Sequence, residues 1–383
     1  MEHPLVLFGE TYHHSNILWA TRFLAPDPVI LVDADDHRTL WVSPLEFGRA
    51  TKQARGCTVR STQEIGGNDL MSIAGGEQEM WSLLLQRVLA EHEITTFGVD
   101  ETFPAVLADA LRGMGLTLVP ALAPYRDARR IKTPEEITAL AASEAHGVTA
   151  LRAAYDLLAS CTVREGMLWN EGRPLQGSDI GKVVEHTLLD LDCSTIDSIT
   201  CGGPESADPH CTTSRVIRTG LPIVLDLYPF HRATRYWGDL TRTVVAGSPH
   251  PAAAAMWDAV REAQTEAVAM VRPGINGREI HRRCCEVFRD RGYGSLPAAF
   301  SGIPSTARFI HGTGHGVGLD IHEYPRIADV DVILEVGDVI TIEPGLYDPQ
   351  VGGVRIEDLV VVTASGATNL TDAEKIFELD HLR

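Results

Sequence analysis

Apolar residues in this chain follow two alternating patterns. Short runs of Val, Ile and Leu bounded by turn residues alternate with longer segments whose apolar positions recur every three to four residues. Within residues 1–130, Pro28-Val-Ile-Leu-Val-Asp33, Leu40-Trp-Val42 and Thr96-Phe-Gly-Val-Asp100 read as buried strands. Met80 to Glu91 and Val106 to Leu111 carry helical spacing. This is the pattern of a smaller N-terminal α/β domain. It holds no dinucleotide fingerprint and no phosphate loop.

A second domain, residues 131–383, follows the basic stretch from Arg126 to Lys132. Thr133 as N-cap, Pro134 at the first helical position and Glu136 three residues after the cap predict a helix start, and the alanine-rich segment carries it to about Ser160. The polar segment Met167 to Ser178 reads as a surface insertion, and a helix is expected near Ile180 to Asp190. A second helical pair is predicted over Pro251 to Val271 and Arg278 to Arg291, with a turn at Pro273-Gly274 between them. Two helix pairs, each followed by strands, suggest an internal duplication. The strands are Pro222 to Tyr228, Asp239 to Val245, Asp338 to Glu343 and Gly353 to Val362, the last read as one continuous strand.

Each of these strands carries an acid where an ionised carboxylate should be expensive: Asp226, Asp239, Glu343 and Glu357. One such residue is ordinarily half of an ion pair. Here the nearby cations are Arg242 and Arg355, and two arginines do not neutralise four carboxylates, whereas two divalent cations would. Arg242 is expected in a structural ion pair. Arg355, two residues before Glu357, would share its face on a strand and could orient a ligand carboxylate bidentately. The run His311-Gly-Thr-Gly-His-Gly-Val-Gly-Leu-Asp-Ile-His-Glu323 adds three histidines among four glycines. The glycines argue against a helical histidine pair and for backbone passing close to something, the metals being the first expectation. With His315 from this run the expected ligand set is Asp226, Asp239, His315, Glu343 and Glu357. Mostly carboxylate with one imidazole, it suits two hard or borderline ions, manganese first, then cobalt or zinc.

Composition adds boundaries. A chain of 383 residues, 44% hydrophobic and 22% charged, can build two domains with their own cores. No apolar run is long enough for a bilayer, no secretory signal opens the chain, and the seven cysteines are dispersed without a C-x-x-C. The expectation is a cytoplasmic protein with reduced thiols and no membrane partner. A formal charge of -19 disfavours nucleic acid, which would be repelled.

These residues resemble the pita-bread metallopeptidases, the family of prolidase, aminopeptidase P and methionine aminopeptidase. The likeness runs over Asp226, Asp239-Leu-Thr-Arg-Thr243, His311 to Glu323, Thr341-Ile-Glu-Pro-Gly-Leu-Tyr347 and Val354-Arg-Ile-Glu-Asp358, in the family's order. The first domain, ending in Arg129-Arg-Ile-Lys-Thr-Pro-Glu-Glu136, is similar to that of the prolidase and aminopeptidase P branch, and Arg355 also points to that branch. The resemblance implies an α/β (α+β) fold with a pita-bread catalytic domain. It implies hydrolysis of the bond between an N-terminal residue and a proline at the second position, by a hydroxide bridging two metals, in a homodimer. It further implies that His210 and His322 contact substrate, that His311 lines the same cleft, and that Glu343 doubles as proton shuttle. Drifted specificity and a non-catalytic binding scaffold are the alternatives. The filled ligand positions weigh against the scaffold. The gap from Asp226 to Asp239 exceeds the family pattern by a small insertion, which a hairpin tip tolerates unless it shifts the register of either strand.

Overall fold

The computed structural model describes residues 3–295 and 305–379. The chain divides into two compact units, Met1–Arg129 and Arg130–Arg383. In the first, strands β1 (Leu5–Gly9), β2 (Val29–Ala34), β3 (His37–Val42), β4 (Thr58–Ser61), β5 (Thr96–Val99) and β6 (Thr117–Pro120) form one sheet in the order β4-β3-β2-β1-β5-β6. The β1–β2 and β2–β3 pairs are antiparallel and the rest parallel. Alternate residues supply two cores, as the two-residue period of a strand demands. Val6, Ile30 and Val32 pack with Leu85 and Leu111 of helices α1 (Glu77–Glu91) and α2 (Ala105–Gly113), while Leu5, Leu7, Leu31 and Leu40 face a separate cluster.

The second unit opens with α3 (Pro134–Ser160). Thr133 caps it, its hydroxyl accepting from the Glu136 N–H while the Glu136 carboxylate accepts from the Thr133 N–H at 2.8 Å. Helices α3 and α4 (Gly177–Asp190) share a core with strands β8 (Pro222–Leu227) and β9 (Leu240–Ala246), built from Leu151, Val184, Leu225 and Leu240 among others; β7 (Ile199–Gly202), β8 and β9 pair antiparallel. The segment around Met167–Asn170 forms a small three-stranded ribbon.

A second helix pair, α5 (Pro251–Met270) and α6 (Gly277–Asp290), packs on strands β10 (Gly314–Gly316), β11 (Glu323–Ile327), β12 (Val339–Ile342), β13 (Gly345–Asp348), β14 (Gly352–Arg355) and β15 (Asp358–Thr363). Ala263, Phe288, Ile340, Val354 and Val360 lie in this core, with Cys284 and Cys285 fully buried among them. Each helix pair thus has its own apolar core against its own strands.

One expected strand is two. Residues 353–362 break at Ile356-Glu357: β14 pairs with β13, β15 pairs with β12, and Glu357 forms an isolated bridge to Thr241 of β9. The chain changes sheets there, so Arg355 and Glu357 are not same-face neighbours on one strand.

The glycines of the histidine run have a different task from the one expected. A Cβ at Gly314 would lie 1.9 Å from the Thr341 carbonyl oxygen, and one at Gly316 would lie 2.5 Å from that of Tyr324. It is neighbouring backbone that comes close. Gly314→Ala should therefore destabilise by about 1–3 kcal/mol, since backbone cannot rotate aside as a side chain can. A drop in urea midpoint with unchanged m-value would show it; an unchanged midpoint would refute it.

Candidate metal centre and active site

Strand ends and turns of the second unit bring the acidic residues to a cleft of about 840 Å³. Asp226 comes from β8, Asp239 immediately precedes β9, His315 is on β10, Glu343 follows β12, and Glu357 sits between β14 and β15. All five line this cleft, as do His210, His311, His322 and Arg355. The longer gap between Asp226 and Asp239 is absorbed in the connection: β8 and β9 pair regularly from Pro222↔Val245 to Leu227↔Leu240, and both aspartates reach the same cavity.

Donor atoms of Asp239, His315 and Glu357 all lie within 4.8 Å of one another. His315 Nε2 is 3.6 Å from Asp239 Oδ2 and 3.6 Å from Glu343 Oε1. The other ring nitrogen, Nδ1, is 3.1 Å from the Gly316 carbonyl oxygen, so it carries the proton and donates. Burial, then the nearby His322, pushes His315 down to about 3, keeping the ring neutral. A nitrogen lone pair therefore faces two carboxylates. With both carboxylates ionised that arrangement is repulsive unless a cation lies between them, and a carbonyl-anchored imidazole is the form that ligates metal.

The carboxylates report the same strain. Burial and then Glu357 hold Asp239 well above the usual range, and burial and then Glu343 do so for Glu357. Burial likewise raises Glu343 to about 8, against the pull of Arg355. Asp226 Oδ1 is buried without a hydrogen-bond partner. The buried Asp239 and Glu357, the partly buried Glu343, one orphaned oxygen and an inward-facing imidazole lone pair fit divalent cations.

The arginines serve other carboxylates. Arg355 reaches Asp226 through a single Nη2–Oδ2 contact of 2.5 Å, not bidentately and not to Glu357. Its Nη1 donates to the Tyr347 hydroxyl at 2.8 Å and its Nε to Thr241 Oγ1 at 3.2 Å. Arg242 pairs with Asp358, Nη2 to Oδ1 at 2.7 Å, away from the cleft. Asp239, Glu343 and Glu357 thus lack a direct ion pair to either arginine.

Several supports were not foreseen. Thr241 Oγ1 donates to Glu357 Oε2 at 2.7 Å, and buried Glu144 of α3 accepts from the Asp239 N–H at 2.7 Å. Thr241 stands two residues beyond Asp239, a same-face spacing that could have flagged it. Glu144 lies in a helix far away in sequence and gave no such sign. Tyr347 folds back over Gly345, where a Cβ would meet its hydroxyl at 2.6 Å. Its O–H donates to His311 Nε2 at 2.7 Å, while His311 Nδ1–H donates to the Gly312 carbonyl at 2.7 Å. Both nitrogens of His311 are engaged. Burial, then Arg355, lowers it to about 3 and keeps it neutral.

His210 and His322 are exposed at the cleft. An Asx turn, with the His210 N–H donating to Asp208 Oδ1 at 3.1 Å, places the first. The second packs edge-on against His315, ring centroids 4.4 Å apart. Arg326, not singled out from sequence, also lines the cleft and is exposed.

Residues 141–364, more than half of the chain, match the model of metallopeptidase family M24. The chain belongs to that family. It is 42% identical over 181 residues to a Xaa-Pro dipeptidase of Pyrococcus furiosus, covering 47% of this chain and 48% of that one. That alignment spans about half the length of the dipeptidase. An uncharacterized peptidase of Bacillus subtilis, YqhT, is 28% identical over 94% of this chain and 92% of its own. Among solved structures, the prolidase from Pyrococcus furiosus superposes with a TM-score of 0.77 at 27% identity, covering 97% of each chain. A Xaa-Pro dipeptidase from Bacillus anthracis superposes at 0.81 with 24% identity, covering 98% of this chain and 94% of that one, a likeness of fold. The α/β architecture is that of the pita-bread enzymes.

Proposed function

We propose that the chain hydrolyses the peptide bond between an N-terminal residue and proline, with residues 131–383 as the catalytic domain. The observation that carries this reading is the convergence of Asp226, Asp239, His315, Glu343 and Glu357 on one cleft, with an imidazole lone pair directed at carboxylates. These five residues would hold two divalent ions, manganese first among the candidates. Bound there, such ions supply Lewis acidity toward a peptide carbonyl and make water acidic enough to attack at neutral pH.

The remaining steps belong to side chains. Glu343 takes the proton of the attacking water and returns it to the proline nitrogen as that nitrogen leaves. His210 and His322, on the accessible wall, donate to the carbonyl oxygen as it gains negative charge. Arg355 fixes Asp226, and His311 positions Tyr347 against Arg355 instead of meeting substrate through a nitrogen. Ile199, Tyr228, Ile310 and Ile321 line the cleft and offer apolar contacts for a side chain and a pyrrolidine ring. The seven dispersed cysteines, none of them paired, support a reducing, cytosolic compartment, and the family likeness suggests a homodimer.

The test is hydrolysis of Ala-Pro beside Ala-Pro-Ala and Ala-Ala, with manganese, cobalt and zinc added in turn. Cleavage of the proline substrates well above Ala-Ala supports the reading; equal rates on Ala-Ala would favour drifted specificity. Arg326 supplies a cation for the carboxylate of a short substrate. Arg326→Ala should raise KM for Ala-Pro about tenfold, the worth of one charge-assisted contact, with kcat little changed. An unaltered KM would remove Arg326 from the substrate site.

A further inference from the structure

Outside the metal cluster, two thiols stand close together beside the cleft. Cys201 is fully buried on β7, and Cys211 is partly exposed in the following loop; their sulfurs are 3.3 Å apart. The loop is tied back along β7 on the far side of Cys211: the Thr200 N–H donates to Thr212 O at 2.8 Å, and the Gly202 N–H to Ser214 Oγ at 3.1 Å. Between these anchors and the start of the loop lies the Asp208–Cys211 turn, closed by the Cys211 N–H donating to Asp208 O at 3.1 Å. That turn carries Pro209 and His210, both on the cleft wall.

We propose that Cys201 and Cys211 form a reversible, oxidant-dependent disulfide that displaces His210 and weakens substrate binding. Bond formation brings the sulfurs from 3.3 Å to about 2.05 Å, a closure of roughly 1 Å. β7 is held in a sheet on one side by β8, so the turn absorbs the movement. A displacement of that size at a residue contacting substrate is large on the scale that orientation tolerates.

The oxidant is a low-molecular-weight disulfide. The accessible Cys211 thiolate attacks one of its sulfurs, forming a mixed disulfide and releasing one small thiol, which takes the proton Cys211 gave up. Cys201 then loses its proton and attacks Sγ of Cys211, expelling the second small thiol. Two protein thiols lose two electrons and two protons, and one small disulfide becomes two thiols. Burial, and then the neighbouring Cys211, raises the Cys201 thiol, in keeping with its role as the second partner.

The kinetic consequence rests on the proposed peptidase function; the cross-link does not. Reduced, manganese-loaded protein is incubated with oxidised glutathione, digested without reduction and mapped by mass spectrometry, with Ala-Pro hydrolysis measured in parallel. The expected result is a peptide joining Cys201 to Cys211, a KM at least threefold higher, and full reversal by dithiothreitol. C211S should retain basal activity and not respond; C201A gives the same answer should C211S fail to fold. Absence of the linked peptide, or a linked peptide with unchanged KM, would overturn the proposal. A linked peptide in a protein that cleaves no peptide would establish the cross-link and count against the peptidase reading.

Discussion

Glu343→Gln is expected to lower kcat by roughly 10²–10⁴-fold, the usual worth of a positioned proton carrier, with little change in KM. The substitution keeps size and one oxygen donor but removes the basic group facing His315 and the cleft. The carboxylate is held inside the cleft: Oε1 is 3.6 Å from His315 Nε2, and its backbone is fixed by the Glu343 N–H donating to Thr313 O at 2.7 Å. Because the same residue is a proposed ligand, the assay needs saturating metal and a measured metal content. Full turnover by a metal-replete Glu343→Gln protein would remove the shuttle.

The largest expected loss of stability comes from Arg242→Met. Its guanidinium is almost completely buried, donating to Asp358 Oδ1 at 2.7 Å, to Glu357 O at 2.6 Å, to Thr241 O at 2.9 Å and to Ala373 O at 2.8 Å. Methionine fills much of the space but leaves Asp358 without its closest cation and removes the arginine's bonds to the Glu357 and Ala373 carbonyls, while Thr241 O still accepts from the Glu357 N–H at 3.0 Å. Breaking a buried pair on one side costs about 3–5 kcal/mol. Gln264, Asn369 and Lys375 still contact Asp358, which places the loss near about 3 kcal/mol. Thermal unfolding should fall by roughly 10 °C. R242M/D358N should regain part of that loss, because the uncompensated charge is gone. A melting point within a degree or two of the parent would show that Arg242 is dispensable.

The helices were legible because their start signals are local: Thr133, Pro134 and Glu136 form the capping box that the spacing predicts. The long apolar strands were legible for a similar reason. Strand β1 (Leu5–Gly9) was not singled out, although it lies between β2 and β5 in its sheet. The break at Ile356-Glu357 also escaped, since both halves are β-rich and only tertiary pairing separates them.

At the site, residue types carried the inference. Acids embedded in apolar strands are costly, which identified Asp226, Asp239, Glu343 and Glu357 before any geometry. Their partners were harder to find. Arg355 turned to Asp226, Tyr347 linked it to His311, and Glu144 came in from α3 behind Asp239. Such contacts depend on which elements the fold juxtaposes, and spacing along one strand does not encode them.

On the proposed function, this cluster of donors holds two divalent ions and hydrolysis depends on both. Chelator-treated protein titrated with manganese, with Ala-Pro cleavage followed at each addition, tests it most directly. The account predicts negligible activity without metal and a rise to a plateau at two ions per chain. Activity that is undiminished after chelation, or that never appears as manganese, cobalt or zinc is added, would contradict it.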